Sequence, residues 1–198
     1  MHGHAATVIQ HPKWNYRLCI LLALVWFGGC TPRADLLPDA AALAGDVIVP
    51  VYVGTTRAQE AEGAWAAKIA GPLTYARVDV NVPKEGKPGI VALPDANPDP
   101  DRHFLTHSVT PLAGRGAFRA EIARALASGK IRGNEVVVTI HGFNNTMGEG
   151  VFRTAKMIRD FDIEALTLHY AWPSRGAPLG YAADRDAALI ARDGLEQM

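Results

Sequence analysis

Serine is scarce in this sequence: Ser108, Ser128 and Ser174 are the three in 198 residues, so serine chemistry has few places to reside. Cysteine occurs twice, as Cys19 and Cys30, too few for a disulfide framework. Neither charge sign is in excess, with Lys+Arg and Asp+Glu at 20 each, so nothing favours nucleic acid or a strongly charged partner. There is no P-loop, zinc pattern or dinucleotide fingerprint; Gly114-Arg115-Gly116 is too short and lacks a preceding βαβ strand. No repeat or low-complexity tract interrupts a composition ordinary for a globular protein, and the length fits one domain with terminal extras.

The apolar run from Leu18 to Gly29 is too short to span a bilayer, which takes about 20 residues, but suits the core of a signal peptide. Lys13 and Arg17 precede it and Cys30 follows, so Phe27-Gly28-Gly29-Cys30 is similar to a bacterial lipobox, with Phe27 where leucine is usual. The expected organisation is a lipoprotein signal peptide over 1–29, a tether over 30–45 and a folded domain over 46–198, with Cys30 lipidated. An ordinary signal peptide or an uncleaved anchor is the alternative. Cys19 would leave with the leader, and His2, His4 and His11 are solvated passengers within it.

Val47–Val53 is an expected strand, ending at Gly54-Thr55-Thr56-Arg57. From 73 to 82, Thr74, Ala76, Val78, Val80 and Val82 alternate with Tyr75, Arg77 and Asp79, the pattern of a half-buried antiparallel strand near a sheet edge. Ile90–Leu93 reads as a short strand or extension and Asn97–Asp101 as a loop. Phe118, Ile122 and Leu126 predict a helix over 116–128, capped by Gly129. Val136–Ile140 is apolar enough for a buried parallel strand. Thr146 and Glu149 stand in capping-box spacing before a helix bearing Val151, Ala155 and Ile158. Residues 165–170 form the next strand, and Gly180–Met198 a helix with Ala183, Ala187 and Ile190 on its buried stripe. Antiparallel first strands followed by βαβ units predict an α/β fold with a mostly parallel sheet.

Strand, His141-Gly142 loop and helix is how an α/β-hydrolase builds half of its oxyanion hole. Phe143 is the first candidate to offer its backbone N–H and Asn144 the second; Gly142 permits close approach of substrate. His141 reads as structural support for the loop, because the catalytic histidine of that fold comes last in chain order. On the dipeptide alone, a plain turn would be the simpler reading.

The segments Val51–Arg57, Tyr75–Pro83, His141–Thr146 and Trp172-Pro173-Ser174-Arg175-Gly176, in that order, resemble a bacterial esterase/lipase-like α/β-hydrolase family of unknown function, of the DUF900 type. The resemblance covers roughly 47–198. It implies an α/β-hydrolase-type sheet, here its N-terminal portion, and a serine hydrolase acting by acyl transfer on a small-molecule or lipid ester, without a cofactor or metal. With the lipobox, it implies a bacterial envelope protein held to the membrane through Cys30.

No serine fits a nucleophile elbow. Ser108 falls in a loop and Ser128 at a helix end. Ser174 follows a strand, but Trp172 is too large two residues before it, and Ala177–Gly180 delays the helix. It also lies one strand too early. The expectation is therefore a fragment whose strand and x-Ser-x-Gly elbow lie roughly 15–30 residues on, inactive and poorly stable alone. A non-catalytic envelope lipoprotein, using the fold as a binding or scaffolding module, is the rival. Elsewhere, His103 and His107 could ligate a metal only if helical, and read as solvated. Asp184-Arg185-Asp186 and Arg192-Asp193 read as a solvated helix face. Arg57 and Arg175 follow strands and could draw an anionic substrate, although surface ion pairing is the more ordinary reading.

Overall fold

A five-stranded mixed sheet carries the architecture, in the order β3-β2-β1-β5-β4. The strands are β1 (Ile48–Gln59), β2 (Trp65–Asn81), β3 (Leu105–Leu112), β4 (Val136–Ile140) and β5 (Leu166–Ala171). Among the described residues three α-helices accompany them: α1 (Gly114–Ala127), α2 (Met147–Asp160) and α3 (Tyr181–Gln197). This computed structural model describes residues 33–34, 36–60, 65–129, 131–132 and 135–198, all within the compact unit Arg33–Met198. The leader and the lipidation expected at Cys30 lie outside the described residues. Among those described, no helix is long and apolar enough to cross a membrane.

The expected class is observed. β1, β2 and β3 pair antiparallel, while β1–β5 and β5–β4 pair parallel. Alternation along the strands sorts the core into two layers. Val51, Val53, Val78 and Val80 face α2, where Met147, Val151, Phe152 and Ala155 meet them. Tyr52, Tyr75 and Leu166 face the other way, onto Phe118 of α1, and Tyr170 and Trp172 onto Ala187 and Ala191 of α3. Tyr75 and Phe118 stack with ring centroids 4.4 Å apart.

The local signals hold at the helix ends. Thr146 accepts from the Glu149 N–H at 3.2 Å and the Glu149 carboxylate accepts from the Thr146 N–H at 2.9 Å, completing the capping box. Gly129 has φ +73°, the left-handed conformation that ends α1.

Several expectations are corrected. β2 lies one strand in from the edge, antiparallel to both β3 and β1 as expected, but it starts at Trp65 and not at residue 73. The segment expected as a loop around Ser108 is β3, where Ser108 donates to Asp79 at 2.9 Å across the ladder. Of the two readings of Ile90–Leu93, the strand is not formed. The stretch expected as a tether is docked from Arg33 onward, with Ala34 and Leu36 in the core beside Phe104 and Met147. Ala40–Ala44 within it forms a short 3-10 helix. β4 is parallel but terminal in the sheet, and Val136, Val138 and Ile140 are 44%, 50% and 52% exposed. The buried stripe of α3 is Asp184, Ala187, Ala191 and Gly194, leaving Ile190 exposed. The reason is contact at both ends: Asp184 is drawn into the loop after β5, and a Cβ on Gly194 would stand 2.7 Å from Thr56 Cγ2.

Candidate functional site

β1, β5 and β4 run parallel, so their carboxyl ends open onto one edge of the sheet, where open α/β sheets take ligands. Three loops meet there. One is His141–Thr146, between β4 and α2; another is Trp172–Gly176, after β5; the third is the end of β1 around Arg57.

The first loop is propped from beneath. His141 is buried, stacks on Trp172 with centroids 5.1 Å apart, and has Nδ1 3.0 Å from Gly142 O. Trp172 Nε1 donates to His141 O at 2.7 Å. Asn145 donates its side-chain N–H to Gly142 O at 3.2 Å and Phe143 O at 2.8 Å. Asn144 adopts φ +58°, a left-handed conformation that asparagine tolerates. Gly142 and Phe143 are exposed, and among the described residues neither the Phe143 nor the Asn144 N–H has a hydrogen-bond acceptor. Phe143 meets Tyr181 edge-on at 5.3 Å.

Below His141 lies His169, with ring centroids 5.7 Å apart. His169 Nδ1 is 2.8 Å from Thr139 Oγ1 and 3.2 Å from Thr154 Oγ1, while its Nε2 has no partner among the described residues. Burial depresses both imidazoles, His141 to about 4 and His169 to about 3, the latter further lowered by His141 and Arg57. Both are therefore neutral at physiological pH. Neither is poised as a base at pH 7, and neither has a serine among its hydrogen-bond partners.

Ser174 is fully buried at 0% exposure. Its hydroxyl donates to Asp184 at 2.6 Å and accepts from the Asn145 and Gly176 N–H groups, both at 3.3 Å. Asp184 also accepts from the Arg175 N–H at 2.8 Å. Ser174 thus ties the two loops together through backbone donors, with no exposed face for an acyl carbon. Asp184 is 1% exposed, which corrects its reading as solvated, whereas Arg185 and Asp186 beside it are exposed. Nothing in its immediate neighbourhood signalled this, since its partners lie about ten residues earlier.

The remaining candidates disperse. Arg57 is 2% exposed, so surface pairing is excluded; Arg175 is exposed. His103 is buried and its Nδ1 accepts from the Asp99 N–H at 3.1 Å, while His107 Nδ1 is 3.2 Å from Ala42 O. His103 is therefore not solvated but braces a loop, while His107 is half-buried on β3. Among the described residues, no group of three His, Cys, Asp or Glu side chains is arranged to hold a metal. Ser128 donates to Ala125 O at 2.6 Å at the end of α1.

Residues 115–198, from α1 through α3, match the family model described as alpha/beta hydrolase of unknown function (DUF900). Neither a curated protein nor a solved structure matches the chain.

Proposed function

We propose that this chain carries the oxyanion-stabilising loop of a serine acyl hydrolase of esterase or lipase type. One observation carries the reading: at the carboxyl end of β4 the Phe143 and Asn144 N–H groups have no acceptor among the described residues, on a loop propped by Asn145 and Trp172 where Phe143 is exposed and Asn144 half-buried. Acyl transfer develops a negative oxygen, and each donor preorganised towards it is worth on the order of 100–1000-fold in rate. Gly142 leaves room for the ester beside the backbone, and His141 holds the loop through Trp172 without itself moving a proton.

None of the three serines occupies an elbow, so on this reading the nucleophile belongs to chain outside the 198 residues. The open side of β4, with its exposed Val136, Val138 and Ile140, gives a further parallel strand a place to pair and a helix a face to cover. The leader adds location: a lipidated Cys30 would hold the enzyme at a bacterial envelope membrane, within reach of lipid or small-molecule esters.

Hydrolysis of a p-nitrophenyl ester series by the native protein, as the cell makes it, tests the proposal. Turnover that falls at least tenfold in Phe143→Pro, which removes the N–H, with folding retained, is the expected result. A folded native protein that cleaves no ester supports the rival, a non-catalytic lipoprotein that binds through the same loops.

A further inference from the structure

A cavity of about 270 Å³ lies beside the exposed loop, with Arg57, Trp65, Met147, Gly148, Ser174 and Arg175 in its lining. Its polar chemistry is one-sided. Arg57 is buried, and its guanidinium reaches just two backbone carbonyls at long range, Asn145 O at 3.3 Å and Ala66 O at 3.5 Å. Its Nε has no partner, and among the described residues no carboxylate lies within ion-pairing distance of it. Asp184 acts on it only through space, both carboxylate oxygens being committed to Ser174 and the Arg175 N–H.

Trp65 Nε1 is a second buried donor without an acceptor among the described residues, and Trp65 lines the same cavity. The third contribution is the start of α2, a 14-residue helix. Thr146 satisfies the N–H groups of Glu149 and Gly150, but the Met147 and Gly148 N–H groups have no acceptor among the described residues. Free N–H groups at a helix start attract negative charge. A buried guanidinium without a counter-ion is unfavourable unless a partner arrives. Arg33, also in the lining, is already engaged by Glu149 at 3.2 Å and by Asn144 O at 3.0 Å, and so closes the wall.

We infer that this cavity is a binding site for a small oxyanion, the carboxylate or phosphate group of a ligand, held by Arg57, Trp65 Nε1 and the first N–H groups of α2, with Arg175 at the rim. The site does not depend on the hydrolase reading, since it uses neither the Phe143 N–H nor a nucleophile.

The test is thermal unfolding and calorimetry of the purified protein with inorganic phosphate, acetate or chloride at matched ionic strength. Saturable stabilisation by phosphate or acetate beyond that by chloride is expected, reaching a melting-point rise of about 5–10 °C near a hundredfold excess over Kd. The preferred anion distinguishes a phosphate from a carboxylate ligand. Arg57→Met should weaken binding at least tenfold, yet unfold no lower than the parent without anion, because it removes an unpaired buried charge. Arg175→Gln, at an exposed position, should weaken binding about threefold and keeps the test decisive if Arg57→Met does not fold. Phosphate and acetate acting no more than chloride on the parent protein would overturn the inference. So would undiminished binding in both variants.

Discussion

Replacing Gly150 with alanine probes how closely α2 must lie on β5. A Cβ built at Gly150 would stand 2.8 Å from His169 Cε1, closer still to His169 Nε2, and 3.2 Å from His141 Cβ. The His169 ring has no easy retreat: it is 1% exposed, and its Nδ1 lies against the hydroxyls of Thr139 and Thr154. Restoring an ordinary contact of 3.4 Å or more therefore requires the helix to rise or both imidazoles to shift. Overpacking of this kind costs about 1–3 kcal/mol, partly offset by about 1 kcal/mol of helix propensity gained by alanine over glycine. The expected net loss is about 0–2 kcal/mol, a melting-point fall of up to a few degrees. Gly116→Ala is the control, because a Cβ there meets nothing within 4 Å on the exposed side of α1. It should stabilise by about 0.5–1 kcal/mol. Urea unfolding followed by circular dichroism compares the two. If Gly150→Ala is stabilised like Gly116→Ala, the close packing of α2 on His169 is refuted.

The two buried imidazoles make stability fall with acid. Their folded values, about 4 and about 3, lie below the ordinary 6.5, so their contribution is full above pH 6.5 and is lost as pH falls towards the folded values, while the unfolded chain takes up the protons. Between pH 7.5 and 5 this loss is about 4 kcal/mol for the pair; urea midpoints that do not move over that range would contradict the burial of the pair. Ser174→Ala strands the Asn145 and Gly176 N–H groups and removes Asp184's hydroxyl donor, a loss of about 1–3 kcal/mol in the same assay. An unaffected midpoint would mean the serine ties nothing together. Thr146→Ala removes the cap of α2 and a hydrogen bond to Ala34 O, and should cost about 1 kcal/mol, with Thr146→Ser largely restoring it.

What the sequence discloses depends on the range of the interaction. The capping box, the glycine after α1 and the apolar strands are local patterns, and the βαβ arrangement around the His141 loop follows from them. β3 escapes because its interior is polar: Thr106 is buried and Ser108 donates to Asp79 across the sheet, so hydrophobic alternation is weak. Pro111 adds a false breaker, tolerated because β3 is the outermost strand on its side. The end of β1 escapes for the same reason, since Thr55 donates to Ala171 O at 2.5 Å in the neighbouring strand. Burial of Arg57 and Asp184 depends on loops brought together only by the fold. A composition of charged residues on a helix or after a strand reads as surface until those loops are placed.

The most direct measurement is fluorophosphonate labelling of the native folded protein, followed by mapping of the modified serine. The account predicts one labelled serine on chain pairing beyond β4, with Ser108, Ser128 and Ser174 unmodified. A label on Ser174, or none in a folded sample, would contradict it.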